Sequence, residues 1–96
     1  MLTQKGVTLK DRVKKVEGNI VSDMGGEKVM LSVKNGKYYN LGESGGIIWE
    51  IIDPTFEVNE LIEKLIEIYQ VERVDCETQA IQFLNHLLKE ELIELT

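Results

Sequence analysis

The sequence predicts an α+β domain in which a three-stranded antiparallel meander is followed by three helices. Three observations carry this expectation: apolar alternation between positions 27 and 33, the turn pairs Gly25-Gly26 and Asn35-Gly36, and helical spacing of aliphatic residues after Ser44, Val58 and Asp75. There are no internal repeats, low-complexity tracts or linkers. The 96 residues therefore divide into an amino-terminal arm over 1–18 and one folded domain over 19–96.

Residues 19–23 read as a short strand, Gly25-Gly26 as a turn and 27–33 as a second strand, with Val29, Leu31 and Val33 sharing one face. Asn35-Gly36 then turns the chain into a third strand, Lys37, Tyr38, Tyr39, Asn40 and Leu41. Loop length decides the register. A two-residue loop splits the apolar set; a three-residue loop with Gly36 left-handed pairs Val33 with Lys37, Leu31 with Tyr39 and Val29 with Leu41. The second register is the expectation, and with it Tyr39 is more buried than Tyr38.

Ser44 is the expected cap of a first helix, in which Ile47, Ile48, Ile51 and Ile52 repeat at helical spacing, with Trp49 beside them, before Pro54 stops it. Glycine is unfavourable in a helix, so Gly45-Gly46 points to close packing against another backbone. A second helix over 58–69 aligns Val58, Leu61, Ile62, Leu65, Ile66 and Tyr69 in one stripe. Asp75 is the expected cap of a third helix running to about residue 90, and Leu92 to Leu95 closes the chain as a short strand.

An apolar fraction of 43% with 29% charged residues fits a soluble globular protein. The apolar runs fall far short of the roughly 20 residues of a membrane span. Lysines interleave with single aliphatics over 1–15, unlike a secretory signal, and one cysteine, Cys76, forms no internal disulfide. A cytoplasmic location follows as the expectation. Charge is uneven: up to Lys37, eight basic residues face four acidic ones (net +4), and from Tyr38 onward three face thirteen (net −10). A duplex-binding helix in the second half would be repelled.

Catalytic chemistry finds little support. His86 and Cys76 are the sole imidazole and thiol; ten residues apart on one helix, they lie about 80° and about 15 Å from each other, too far for a dyad. A zinc site needs more cysteines or histidines. Most glutamates fall on the wet faces of the second and third helices, as a solvated surface does. Residues 42–46 form a glycine-rich turn before a helix, but no lysine accompanies it and Glu43 has the wrong sign for phosphate. No enzyme, metal or cofactor is expected.

The third strand comes last in its meander, which places it at a sheet edge where only Lys37 supplies protective charge. Such an edge is either covered or open to an added strand. On the third helix, Ala80, Phe83 and Leu87 fall within about 40° of Cys76, while Leu84, Leu88 and Ile81 extend the apolar arc to about 160°. That arc is either all core or partly the wall of a cleft.

The run 36–41, the segment from Gly45-Gly46 through Trp49 to Ile52, and then Glu60-Leu61, Leu65, Tyr69-Gln70-Val71, Phe83-Leu84, Leu87 and Leu92-Ile93 together resemble the PqqD-like family. The resemblance runs from about residue 19 to the end; its joint order and spacing carry it. Glu57 stands where the family commonly has a Thr or Ser cap, and Glu91 where a glycine usually precedes the last hydrophobic pair.

The resemblance implies a winged-helix-like domain that recognises ribosomally made, modified peptides, a RiPP recognition element. Such domains bind a precursor's leader peptide as an added strand on the third strand, opposite the third helix. The peptide-binding residues implied here are Lys37, Tyr38, Tyr39, Asn40, Leu41, Cys76, Ala80, Phe83 and Leu87. Within the family, the chain looks most like the stand-alone leader-binding proteins of lasso-peptide biosynthesis, which work with a leader peptidase and a macrocyclase. The alternatives are a peptide chaperone for a radical SAM enzyme in quinone cofactor biosynthesis and a winged-helix DNA-binding protein; the DNA reading conflicts with an acidic third helix. The expected state is a monomer or weak dimer, with no membrane or nucleic-acid partner.

Overall fold

The computed structural model describes residues 6–52 and 55–96. Its elements in chain order are β1 (Arg12–Lys15), β2 (Asn19–Met24), β3 (Glu27–Ser32), β4 (Lys37–Leu41), α1 (Gly42–Ile51), β5 (Thr55–Glu57), α2 (Val58–Tyr69), α3 (Arg73–Lys89) and β6 (Ile93–Leu95). The α+β class and the meander β2-β3-β4 followed by helices are as the sequence predicts.

A second sheet, ordered β5-β1-β6, adds to that expectation. Its strand β1 comes from the segment read as an arm: Val13 pairs with Phe56 and with Leu95 and is wholly buried. The chain before it is tied down as well. The N–H of Val58 donates to the carbonyl of Asp11, that of Asn59 to Leu9, and that of Val7 to Asn85 Oδ1 at 2.8 Å. These bonds tie the described part of the arm to the start of α2 and to Asn85 of α3, and Lys15, at the end of β1, lies over the Trp49 ring of α1; none of these contacts is with β4.

The meander's register differs from the expected one. Ser32 pairs with Lys37, Leu31 with Tyr38, Met30 with Tyr39 and Val29 with Asn40, so the loop holds residues 33–36. The N–H of Gly36 donates to the Ser32 carbonyl at 2.7 Å and that of Asn35 to Ser32 Oγ at 3.2 Å, closing the turn one residue earlier. Gly36 is left-handed, with φ +68°, as the turn requires. Met30 and Ser32, rather than Val29, Leu31 and Val33, face the core, and Val33 is exposed. Tyr39 is nonetheless the inward tyrosine, because it opposes Met30, while Tyr38 is 74% exposed.

Helix α2 has the expected limits. Helix α1 starts before Ser44, which does not cap it; the N–H of Gly42 donates instead to Asn40 Oδ1 at 2.9 Å. Pro54, the expected stop of that helix, lies outside the described residues. Helix α3 starts at Arg73 rather than at an Asp75 cap, because Arg73 bonds Glu77 one turn on and Asn59 on α2, which fixes an additional turn. The core gathers Met30, Ile52, Leu61, Ile62, Leu84 and Leu92, all fully buried.

Candidate functional site: a cleft beside a free strand edge

Strand β4 pairs with β3 on one side and, among the described residues, with no strand on the other. Its outer backbone groups are open along residues that carry no proline and one charge, Lys37. Helix α3 faces this edge across a gap pinned at one end. Tyr39 Oη donates to Glu90 Oε1 at 2.7 Å, and Asn35 Nδ2 donates to the Glu90 carbonyl at 3.1 Å. Lys37 Nζ lies 3.9 Å from Glu90, and Lys34 pairs with Glu91 at 2.7 Å. The bond from Tyr39, with smaller help from neighbouring cations, holds the Glu90 carboxyl below the usual range, whereas the same bond raises the Tyr39 phenol.

Towards the amino end of α3 the gap widens into a cleft of about 360 Å³. Leu41, Cys76, Ala80 and Phe83 line it, as do Ile48 and Leu65. Ser44, Tyr69 and Gln79 supply polar atoms at its wall. Gly45 shapes it: a Cβ there would come within 2.8 Å of Phe83 Cζ, so the ring lies against the bare backbone of α1. The close approach expected of Gly45-Gly46 is therefore made by side chains, with Lys28 against Gly46.

The structure places the sequence-derived residues in three groups. Leu41, Cys76, Ala80 and Phe83 converge on the cleft. Lys37, Tyr38, Tyr39 and Asn40 stand along the free edge, Tyr39 engaged with Glu90 and Asn40 with Gly42 and Glu27. Leu87 is fully buried and lies behind the cleft wall instead of lining it. In the sequence, Ile48, Leu65 and Tyr69 stand only as members of helix stripes; their second role depends on the angle between α1, α2 and α3, which no local pattern encodes. Burial raises the Cys76 thiol, which keeps it protonated, and His86 on the same helix is exposed. Among the described residues, no His, Cys, Asp or Glu group is arranged to hold a metal, and no helix is long and apolar enough to cross a membrane.

No curated protein matches the chain. Among solved structures, "TbiB1 in Complex with the TbiA(beta) Leader Peptide" superposes with a TM-score of 0.76 at 25% identity, over 84% of this chain and 94% of that one. The family described as coenzyme PQQ synthesis protein D (PqqD) matches residues 27–93. That match runs from the start of β3 into β6 and takes in the free edge, α3 and every residue lining the cleft: this chain belongs to the PqqD family.

Proposed function

We propose that the protein binds the leader peptide of a ribosomally synthesised precursor as an added strand on β4, with α3 as the opposite wall, and presents it to processing enzymes. The observation that carries this reading is the free edge of β4 beside an apolar cleft. Backbone pairing along 37–41 would set the register, and side chains spaced two apart would enter the cleft near Phe83. The likeness to TbiB1, solved with a leader peptide, supports it. An interface on the order of 1,000 Å² or less is at the low end of specific complexes and suits hand-over. The domain would contribute binding and no chemistry, in the cytoplasm, alongside a leader peptidase and a macrocyclase of lasso-peptide biosynthesis.

The family's description also favours a second reading, a peptide chaperone for a radical SAM enzyme in quinone cofactor biosynthesis. Titration with the leader peptides of the two pathway types separates them. The strand-addition mode itself is tested by N-methylating the bound leader at alternate residues. Methylation of the residues that donate to β4 should abolish binding, while methylation of their neighbours leaves it intact; equal tolerance at all positions counts against an added strand.

A further inference from the structure

The meander turns an apolar face away from the core. The core lies on the Met30 side of the sheet, and the strand register sets Ile20, Leu31 and Tyr38 in one row across all three strands on the other side. Met24 on β2 and Val33 just beyond β3 extend the row. Ile20, Met24, Val33 and Tyr38 are each more than half exposed. Together they leave on the order of 500 Å² of largely apolar surface open, near the upper end of what a monomeric soluble protein shows in one patch. The face is also poor in charge. By the alternation of the strands Glu27 is its one ionised group among the described residues, and Asn40 Nδ2 donates to it at 3.0 Å.

We infer that this face takes a second copy of the chain, outer face on outer face about a two-fold axis. Charge favours such a self-complementary contact. With Leu31 near the axis and the two β3 strands antiparallel, the two Glu27 side chains fall at opposite ends of the stack, roughly 25 Å apart, where they are screened from each other. No other group on the face calls for a partner of opposite sign. The acidic half of the chain, net −10 from Tyr38 onward, is carried largely by the helices on the inner side of the sheet. Stacking on the meander keeps two such surfaces apart, whereas contact through the helices would press them together. Two faces bury about 1,000 Å² in total, short of the roughly 1,600 Å² of a standard interface, so the dimer is weak and half formed on the order of 0.1 mM. The edge of β4 stays open in this stack, so the inference is independent of leader binding.

The test is sedimentation equilibrium of the full chain from about 10 μM to about 1 mM, a range that brackets the expected midpoint. The mass should rise from that of one chain towards that of two. Ile20→Lys and Val33→Lys change exposed positions, so the fold tolerates them, and each sets like charges into the stack; the dissociation constant should rise about tenfold or more. Ile68→Lys, at a similarly exposed position on α2 and off the sheet, should leave it unchanged. A mass that stays at one chain up to about 1 mM overturns the inference and leaves the face to a different protein. A dimer that both sheet variants spare overturns it as well, and one that Ile68→Lys dissolves puts the contact on the helices instead.

Discussion

Tyr39 and Glu90, 51 residues apart in sequence, meet through a 2.7 Å hydrogen bond that ties the edge strand to the last turn of α3. This bond sets where the gap between strand and helix is closed and, by difference, where it is open. Tyr39→Phe should lower the thermal midpoint by a few degrees in a domain of this size. Because the Glu90 carboxyl is held low in the folded state, its stabilisation is present above the ordinary carboxylate range and is lost as pH falls through the depressed value. Tyr39, held high, contributes below about pH 10 and loses its contribution as pH rises through its raised value. The difference in midpoint between wild type and variant should therefore be largest near neutrality and shrink below about pH 4. A difference that is flat from pH 3 to 7 would contradict this assignment.

Phe83→Ala removes the ring that lies over Gly45 at the cleft wall. Aromatic anchors in pockets commonly carry a large share of peptide affinity, so leader binding should fall about tenfold or more while unfolding stays cooperative. Titration calorimetry of the precursor leader decides it; an unchanged affinity counts against the groove.

Leu87 gives the opposite pattern. Fully buried behind the cleft, it should destabilise the domain by about 2–5 kcal/mol when cut to alanine, with near-normal leader affinity for whatever remains folded at low temperature. Denaturant unfolding and calorimetry together separate this from Phe83→Ala. A Leu87→Ala protein that is stable yet does not bind would place Leu87 in the guest's path.

The contrast between these positions also marks how far the sequence could be read. Helix α2 was legible to its limits because its stripe is strongly periodic and one face is wet. The edge position of β4 was legible because it ends the meander. The register was not, since β3 is more apolar on its outer face than its inner one. Val29, Leu31 and Val33 point out, whereas Lys28, Met30 and Ser32 point in. That inversion is tolerated because the Lys28 ammonium is paired with Asp23 and Glu50, each at 2.7 Å, and Ser32 Oγ is bonded to the turn. Strands β1 and β5 escaped because short segments have no measurable period and their partners are distant in sequence. For the cleft, the α3 arc supplied one wall; its reach to α1 and α2 depends on packing angles.

Gly45 offers the sharpest test of those angles. Alanine is favoured over glycine in a helix by about 1 kcal/mol, so Gly45→Ala alone should not unfold the domain, and the atom its Cβ meets is the far end of the Phe83 ring, 2.8 Å away. The ring must swing into the cleft. Leader affinity should drop about tenfold with little change in thermal midpoint. In a double variant with Phe83→Leu the clash is gone, so the combined loss should be no greater than that of Phe83→Leu alone. Such coupling is expected only of residues in direct contact. Additive losses in the two single variants and the double variant would show that Gly45 and Phe83 act on binding separately and that the ring's seat on α1 does not shape the cleft.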